Sequence, residues 1–207
     1  MEGQQNRQFE THAYVLSVVP PKEFLRDSRP RGDTVIQGIG ESHFTLLEMI
    51  PQQGVKPHPQ ERVSIERNAK SKIDHVKRRI FYEDLVPESV TELPLVIEMI
   101  VTKHEHKFVQ FFNEAAPITT RMHSLQLLPG IGQTLMWAIL EERKREPFKS
   151  FDDIAARTKL QNPKKVMTAR IIDELKEDVK RWLFVRPPKR DEDERNRDRD
   201  RPRPLRR

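Results

Sequence analysis

At 207 residues the chain has room for one large domain or two small ones, and its 35% hydrophobic and 34% charged residues are respectively low and high for a globular protein. The 38 Lys/Arg against 32 Asp/Glu leave a net charge of +6, a balance that suits a polyanionic partner without requiring one. The absence of cysteine excludes disulfides, thiolate zinc sites and cysteine-held iron–sulfur clusters, and the polar start "MEGQQNRQFE" and the lack of any run near ~18 apolar residues give the expectation of a soluble, cytoplasmic protein with no membrane contact.

Residues 1–11 read as a flexible arm. From His12 the texture is strand-like: "AYVLSVV" (13–19), "TVIQGIG" (34–40), "HFTLLEMI" (43–50), "RVSIE" (62–66) and "HVKRRIFY" (75–82), separated by proline- and glycine-bearing turns. Five short strands in about 75 residues predict a small, closed or nearly closed β-barrel over 12–86, of which the OB-like barrel is the commonest architecture of that size. Arg62, Arg67, Lys70, Lys72, Lys77, Arg78 and Arg79 concentrate at its end, a positive stripe suited to a phosphate backbone. Among Tyr14, Phe24, Phe44, Phe81 and Tyr82, Tyr14 is the candidate for stacking on a base, because its hydroxyl favours a partly wet site.

After Pro87 the period changes. Residues 88–115 read as one helix within a helical connector over 87–117, with Leu95, Met99 and Thr102 marking one side and Phe108, Phe111 and Phe112 continuing an apolar side. Ile118, Met122, Leu125 and Leu128 recur at steps of four and three, which predicts a helix over 118–128. "QTLMWAILEERKRE" (133–146) predicts the next, with Leu135, Met136, Ile139 and Leu140 on its buried side. Ser150 with Asp153 reads as a capping box, and Asn162–Pro163 opens a last helix carrying its stripe to Trp182/Leu183. Residues 186–207 hold ten Lys/Arg against six Asp/Glu with one large apolar residue, Leu205, and are expected to be a disordered charged tail.

Helix, then "LPGIGQ", then helix is the pattern of a helix-hairpin-helix. Gly130 supplies the tight reversal, Ile131 turns inward, and Gly132, with no side chain, lets a phosphate oxygen approach the main chain. Gly132, Gln133 and Thr134 form the first turn of the following helix. Their N–H groups lack intrahelical partners and lie at its positive end, which makes an anion site of backbone. Such a site reads backbone and not sequence. "TKLQN" (158–162) falls where a second, pseudo-symmetric hairpin belongs; it lacks both glycines, so it buttresses the first or touches phosphates through Lys159, Lys164 and Lys165.

"YVLSVVPP", "ELPLVIEMIV…KFVQFFNEA" and "ITTRMHSLQLLPGIGQTLMWAILEERKREPFKSFDDI" together resemble an archaeal family of poorly characterised proteins predicted to bind RNA. The resemblance covers 12–185, most specifically 118–154. It implies an α+β fold joining an OB-like barrel to a tandem helix-hairpin-helix domain over 118–185, an archaeal origin, RNA in preference to DNA, a link to translation or the ribosome, and no established catalysis. In some helix-hairpin-helix proteins the hairpin carbonyls hold a monovalent cation, which this sequence allows.

An enzyme is the weaker expectation. Helix-hairpin-helix DNA glycosylases place a lysine or aspartate beyond the hairpin, but Asp152 and Asp153 lie at a helix start, and no lysine nucleophile or flipped-base pocket is evident. His104 and His106 point apart on a helix and do not make a zinc motif. No resident cofactor and no small-molecule substrate are expected. A DNA-binding or repair accessory protein and a protein-interaction adaptor are the alternatives.

Overall fold

The computed structural model describes residues 10–24, 27–31, 34–66 and 71–186, with backbone alone for 22–24 and 27–31. Residues 1–9 of the arm expected over 1–11, residues 187–207 of the tail expected over 186–207, Arg67 and Lys70 lie outside the described residues. Strand β1 (His12–Val19) shows how alternation builds the core. Ala13 and Val15 enter one apolar cluster with Ile36, Leu47, Met49, Val63 and Ile73. Tyr14 and Leu16, on the other face, enter a larger cluster shared with the helices. A strand buried on both faces reads as the continuous apolar run "AYVLSVV".

Around β1 the sheet is ordered β6 (Arg62–Ser64), β1, β4 (Val35–Gly40), β5 (Leu46–Pro51), β7 (Ile73–Arg79), with antiparallel pairing throughout. Register shifts at Val15/Ser17, Glu48/Met49 and Ile50/Pro51 bend it, and the sheet curls around the first cluster. The edge strands approach where the Ser71 hydroxyl donates to the Ser64 carbonyl at 2.6 Å. The five expected strands are all present. β2 (Lys22–Phe24) and β3 (Asp27–Arg31) form a separate two-stranded ribbon within the stretch read as turn.

Gly38 on β4 has no room for a side chain. A Cβ there would stand 2.5 Å from Met49 Cε and 2.7 Å from the Tyr14 carbonyl oxygen on the neighbouring strand. Methionine can swing aside; the backbone of β1 cannot. Gly38→Ala is expected to cost about 1–3 kcal/mol in urea unfolding at unchanged slope.

α1 (Pro87–Lys103) starts with proline at its first position and buries Leu93, Val96, Ile97, Ile100 and Val101 between β1 and α5 (Pro163–Leu175). The Ser17 and Ser89 hydroxyls, both buried, meet at 2.6 Å and tie α1 to the sheet. The single helix expected over 88–115 is broken at His104 (φ −108°, ψ 32°), and α2 (Glu105–Glu114) follows. Glu41 accounts for the break: its carboxylate accepts from both Lys103 and His104, fixing the two residues at the corner. The side chosen by Leu95 and Met99 is exposed; α1 buries the opposite one.

The helix expected over 118–128 is also corrected. A short hairpin of β8 (Pro117–Thr119) and β9 (Met122–His123) leads into one 3₁₀ turn, Ser124–Leu127. Local side chains compete with a helix for the backbone. Gln126 Oε1 accepts from His123 N at 2.8 Å, His123 Nδ1 accepts from Leu125 N at 3.2 Å, and the Ser124 hydroxyl donates to Ala116 O at 2.7 Å. Leu125 and Leu128 are buried as expected, whereas Met122 is exposed.

α3 (Gln133–Arg145) and α4 (Phe151–Arg157) lie where expected. Ser150 accepts from Asp153 N, but the Asp153 carboxylate reaches Lys149 N and not Ser150 N, so the box closes one residue early. α5 stops at Leu175, eight residues short of the expected stripe. Beyond it a strap runs back to the sheet, with Phe184 against Phe108 and Phe111 at 5.5 and 5.2 Å between ring centres. Arg186 N donates to His43 O, and Arg79 donates to the Arg186 carbonyl. One apolar cluster therefore runs from Tyr14 and Ile39 on the sheet to Ile171 and Val185, across the divisions expected near 86 and 117.

Candidate nucleic-acid interface

Leu128 and Ile131, 2% and 4% exposed, anchor the loop between the 3₁₀ turn and α3. Gly130 adopts φ +79°, the left-handed conformation that glycine accepts most cheaply, and reverses the chain. Ile131 N donates to Leu128 O at 3.2 Å. Gly132 is the N-cap of α3, with extended backbone (φ −79°, ψ −179°), and a Cβ on it would meet nothing within 4 Å. Gln133 and Thr134 are exposed.

The three C-terminal helices differ at their starts. Ser150 caps α4 and Asn162 caps α5, each side chain accepting a backbone N–H. α3 has no capping side chain and no acid in its first turn. Its first intrahelical bond is Met136 N to Gly132 O. The N–H groups of Gly132, Gln133, Thr134 and Leu135 thus precede the ladder at the positive end of the helix dipole. One turn on, and on the same side as Gln133 and Thr134, Trp137 is 53% exposed. It was not singled out from the sequence, although a helical wheel of α3 sets it away from the buried Met136 and Ile139.

α5 braces this loop. Arg170, 6% exposed, donates to Leu127 O at 2.9 Å just before the turn, to Glu174 Oε1 at 2.8 Å and to the Arg181 carbonyl. Lys159 and Lys165 are exposed and carry no ion pair among the described residues, while Lys164 lies 3.9 Å from Glu98.

The basic stripe of the sheet is largely neutralised by carboxylates, one from strand β5 and two from loops beside the sheet. Arg78 is bidentate on Glu48 at 2.7 and 3.1 Å, Lys72 meets Glu61 at 2.5 Å, and Arg62 meets Glu41 at 2.7 Å. Burial, and Arg186 beside it, lower the pKa of Arg79. Lys77 is exposed with no ion pair among the described residues. Tyr14 is 5% exposed and packs in the larger cluster, with Lys103 Nζ 3.2 Å from its hydroxyl and 5.7 Å from its ring centre, so it presents no open ring face to a base. Phe44 is 1% exposed, and Lys176 lies 5.3 Å from the Tyr82 ring centre.

Beneath Tyr14 sits a cluster the sequence did not reveal. Glu41, 8% exposed, accepts from Arg62, Lys103 and His104. Burial alone would raise its carboxyl, but those three hydrogen bonds prevail and hold it down at about 2. Hydrogen bonding to Glu41 raises Arg62 and Lys103 in turn. No group of three or more His, Asp or Glu side chains among the described residues is placed to hold a metal ion, and no helix there is long and apolar enough to cross a membrane.

A family model described as "Protein of unknown function (DUF655)" matches residues 9–186. The chain is 42% identical over 182 residues to "Uncharacterized protein MJ0038" of Methanocaldococcus jannaschii, covering 87% of this chain and 82% of that protein. Its structure is similar to the crystal structure of Af1531 from Archaeoglobus fulgidus, with a TM-score of 0.77, 47% identity, and coverage of 86% of this chain and 100% of the other.

Proposed function

The chain belongs to the DUF655 family, shared with an archaeal relative of known structure, and for it we propose non-catalytic nucleic-acid binding, with RNA favoured over DNA. The observation that carries this reading is the uncapped, acid-free start of α3 behind Gly130 and Gly132. The main-chain N–H groups there precede the helix ladder without a capping side chain, and Gly132 leaves room beside them, the arrangement that receives a phosphate. Trp137, one turn away, offers an aromatic face to an adjacent unpaired base. On this reading residues 124–175 are a tandem helix-hairpin-helix whose first helix has shrunk to a 3₁₀ turn, and the curled sheet is an OB-like barrel supplying a second contact through Lys77 and, by exchange of carboxylate for phosphate, Arg62, Lys72 and Arg78, while Arg79 would first have to release the Arg186 carbonyl. The preference for RNA, and a place at the ribosome, rest on the resemblance of residues 118–154; backbone amides see the same phosphate in RNA and DNA.

Gly132 gives a clean test. Its φ suits any residue and a side chain there meets no neighbour, so Gly132→Val keeps the fold and fills the space a phosphate would enter. We expect a melting temperature within a few degrees of the parent and binding to structured RNA weakened about tenfold or more, the loss being of a charge-assisted contact worth ~1.5–3 kcal/mol. Gly130→Val is a poorer probe, since φ +79° strains the backbone itself. Unchanged affinity of folded Gly132→Val for RNA, duplex DNA and single strands would sink the hairpin reading.

A further inference from the structure

α1 carries an apolar face that no described residue covers. Leu95 and Met99, 53% and 39% exposed, stand one turn apart and line a shallow depression of about 620 Å³ with Tyr14 and Gln60. Its surroundings are of both signs: Glu92 bound by Gln60, Glu98 near Lys164, and Lys103. Those carboxylates would repel a phosphate backbone. An apolar centre with a polar rim of mixed sign is the composition of a protein–protein contact.

The order of charges along the helix selects which protein. Glu92, Leu95, Met99 and Lys103 follow at steps of three, four and four, and so share one side of α1. The midpoint of Leu95 and Met99 is position 97; Glu92 lies five residues before it and Lys103 six after. An identical helix laid antiparallel across this midpoint sets Leu95 opposite the second helix's Met99 and Glu92 beside its Lys103, at both ends at once. That is the self-complementarity a two-fold axis demands. Both charged groups are already oriented, Glu92 by Gln60 and Lys103 by Glu41 and Tyr14, and 44% of the Lys103 side chain remains accessible.

We propose that this face binds a second copy of the chain, α1 against α1 antiparallel, with Leu95 and Met99 at the centre and a Glu92–Lys103 pair at each end. The patch is small, so the dimer is transient, in the class of interfaces below ~1,200 Å². This inference stands apart from the nucleic-acid reading, and the outcome of either leaves the other untouched.

Sedimentation of the full chain should show a mass rising from monomer toward dimer between about 1 µM and 1 mM, as expected for weak association. Leu95→Glu should shift the midpoint at least ~10-fold with the melting temperature kept, because it brings new carboxylates to an apolar centre. Glu92→Lys and Lys103→Glu should each weaken association, and the double exchange should restore it. If Lys103→Glu does not fold, Glu92→Lys against Glu92→Gln decides, since like charges must dissociate the pair more than a neutral amide does. A monomer throughout the range would overturn the proposal and leave the face to a different molecule. So would a dimer that ignores Leu95→Glu, or a double exchange weaker than both single changes.

Discussion

Glu174→Ala is expected to lower stability by about 3–5 kcal/mol, the cost of leaving a buried partner charge uncompensated. Glu174 is 0% exposed and its two oxygens serve four donors: Arg170 Nε at 2.8 Å and the backbone N–H groups of Leu183, Phe184 and Val185 at 2.8–2.9 Å. Removing it strands the Arg170 guanidinium and three amides of the strap. The strap should then detach before the rest unfolds, carrying Trp182 into water. Trp182 fluorescence in a Trp137→Phe background reads that step; urea unfolding monitored by circular dichroism reads the whole. A variant that keeps both signals of the parent would show that the strap is held by Phe184 and Val185 alone. Glu174→Gln retains an acceptor without the charge and should fall between.

Glu41→Gln should be the second largest loss, and one that depends on pH. The Glu41 carboxyl is held at about 2, well below its ordinary 4.5, so the folded protein binds that proton more weakly than the unfolded chain. The stabilisation is therefore complete above about pH 5 and is lost as pH falls toward 2. A gap of that size is worth roughly 3 kcal/mol; since Arg62 and Lys103 are 40% and 44% exposed, solvent screening brings the expectation nearer 2 kcal/mol. Urea midpoints of parent and variant should differ at pH 7 and draw together only as pH falls through about 2. A difference that stays constant across that range would mean the Glu41 cluster contributes through shape and not charge. The same variant removes the charge that holds Lys103 and His104, so the corner between α1 and α2 should lose amide-exchange protection first.

The sequence carried the sheet well, because β1, β4 and β5 alternate between two buried faces and few other structures satisfy that period. It also carried α3, the caps at Ser150 and Asn162, and the reversal at Gly130. It misled where one apolar spacing fits two structures. Ile118, Met122, Leu125 and Leu128 match a helical face, yet a hairpin followed by a 3₁₀ turn buries the last two as well, and His123, Ser124 and Gln126 tip the choice by binding nearby backbone. Past Leu175 the helical pattern continues on paper, but Glu174 draws the amides of 183–185 to itself and the helix cannot hold them. The basic stripe shows the limit for a site. Residue type reveals that Arg62, Lys72 and Arg78 are charged; only the tertiary fold reveals Glu41, Glu61 and Glu48 across from them. Trp137 was legible in principle, as a large aromatic on the wrong side of an amphipathic helix.

The apolar cluster that runs unbroken from Ile39 to Val185 has a consequence for recognition. Two contact regions joined by a loose tether adapt to targets of many sizes, and each pays an ordering entropy on engagement. Here the start of α3 and the edge at β7 are held on one packed body, latched by the strap from Glu174 to Arg186. On the nucleic-acid reading proposed above, such a body is a gauge of fixed opening: a target whose contact points match that span would engage both at little entropic cost, and one that does not would hold only one end.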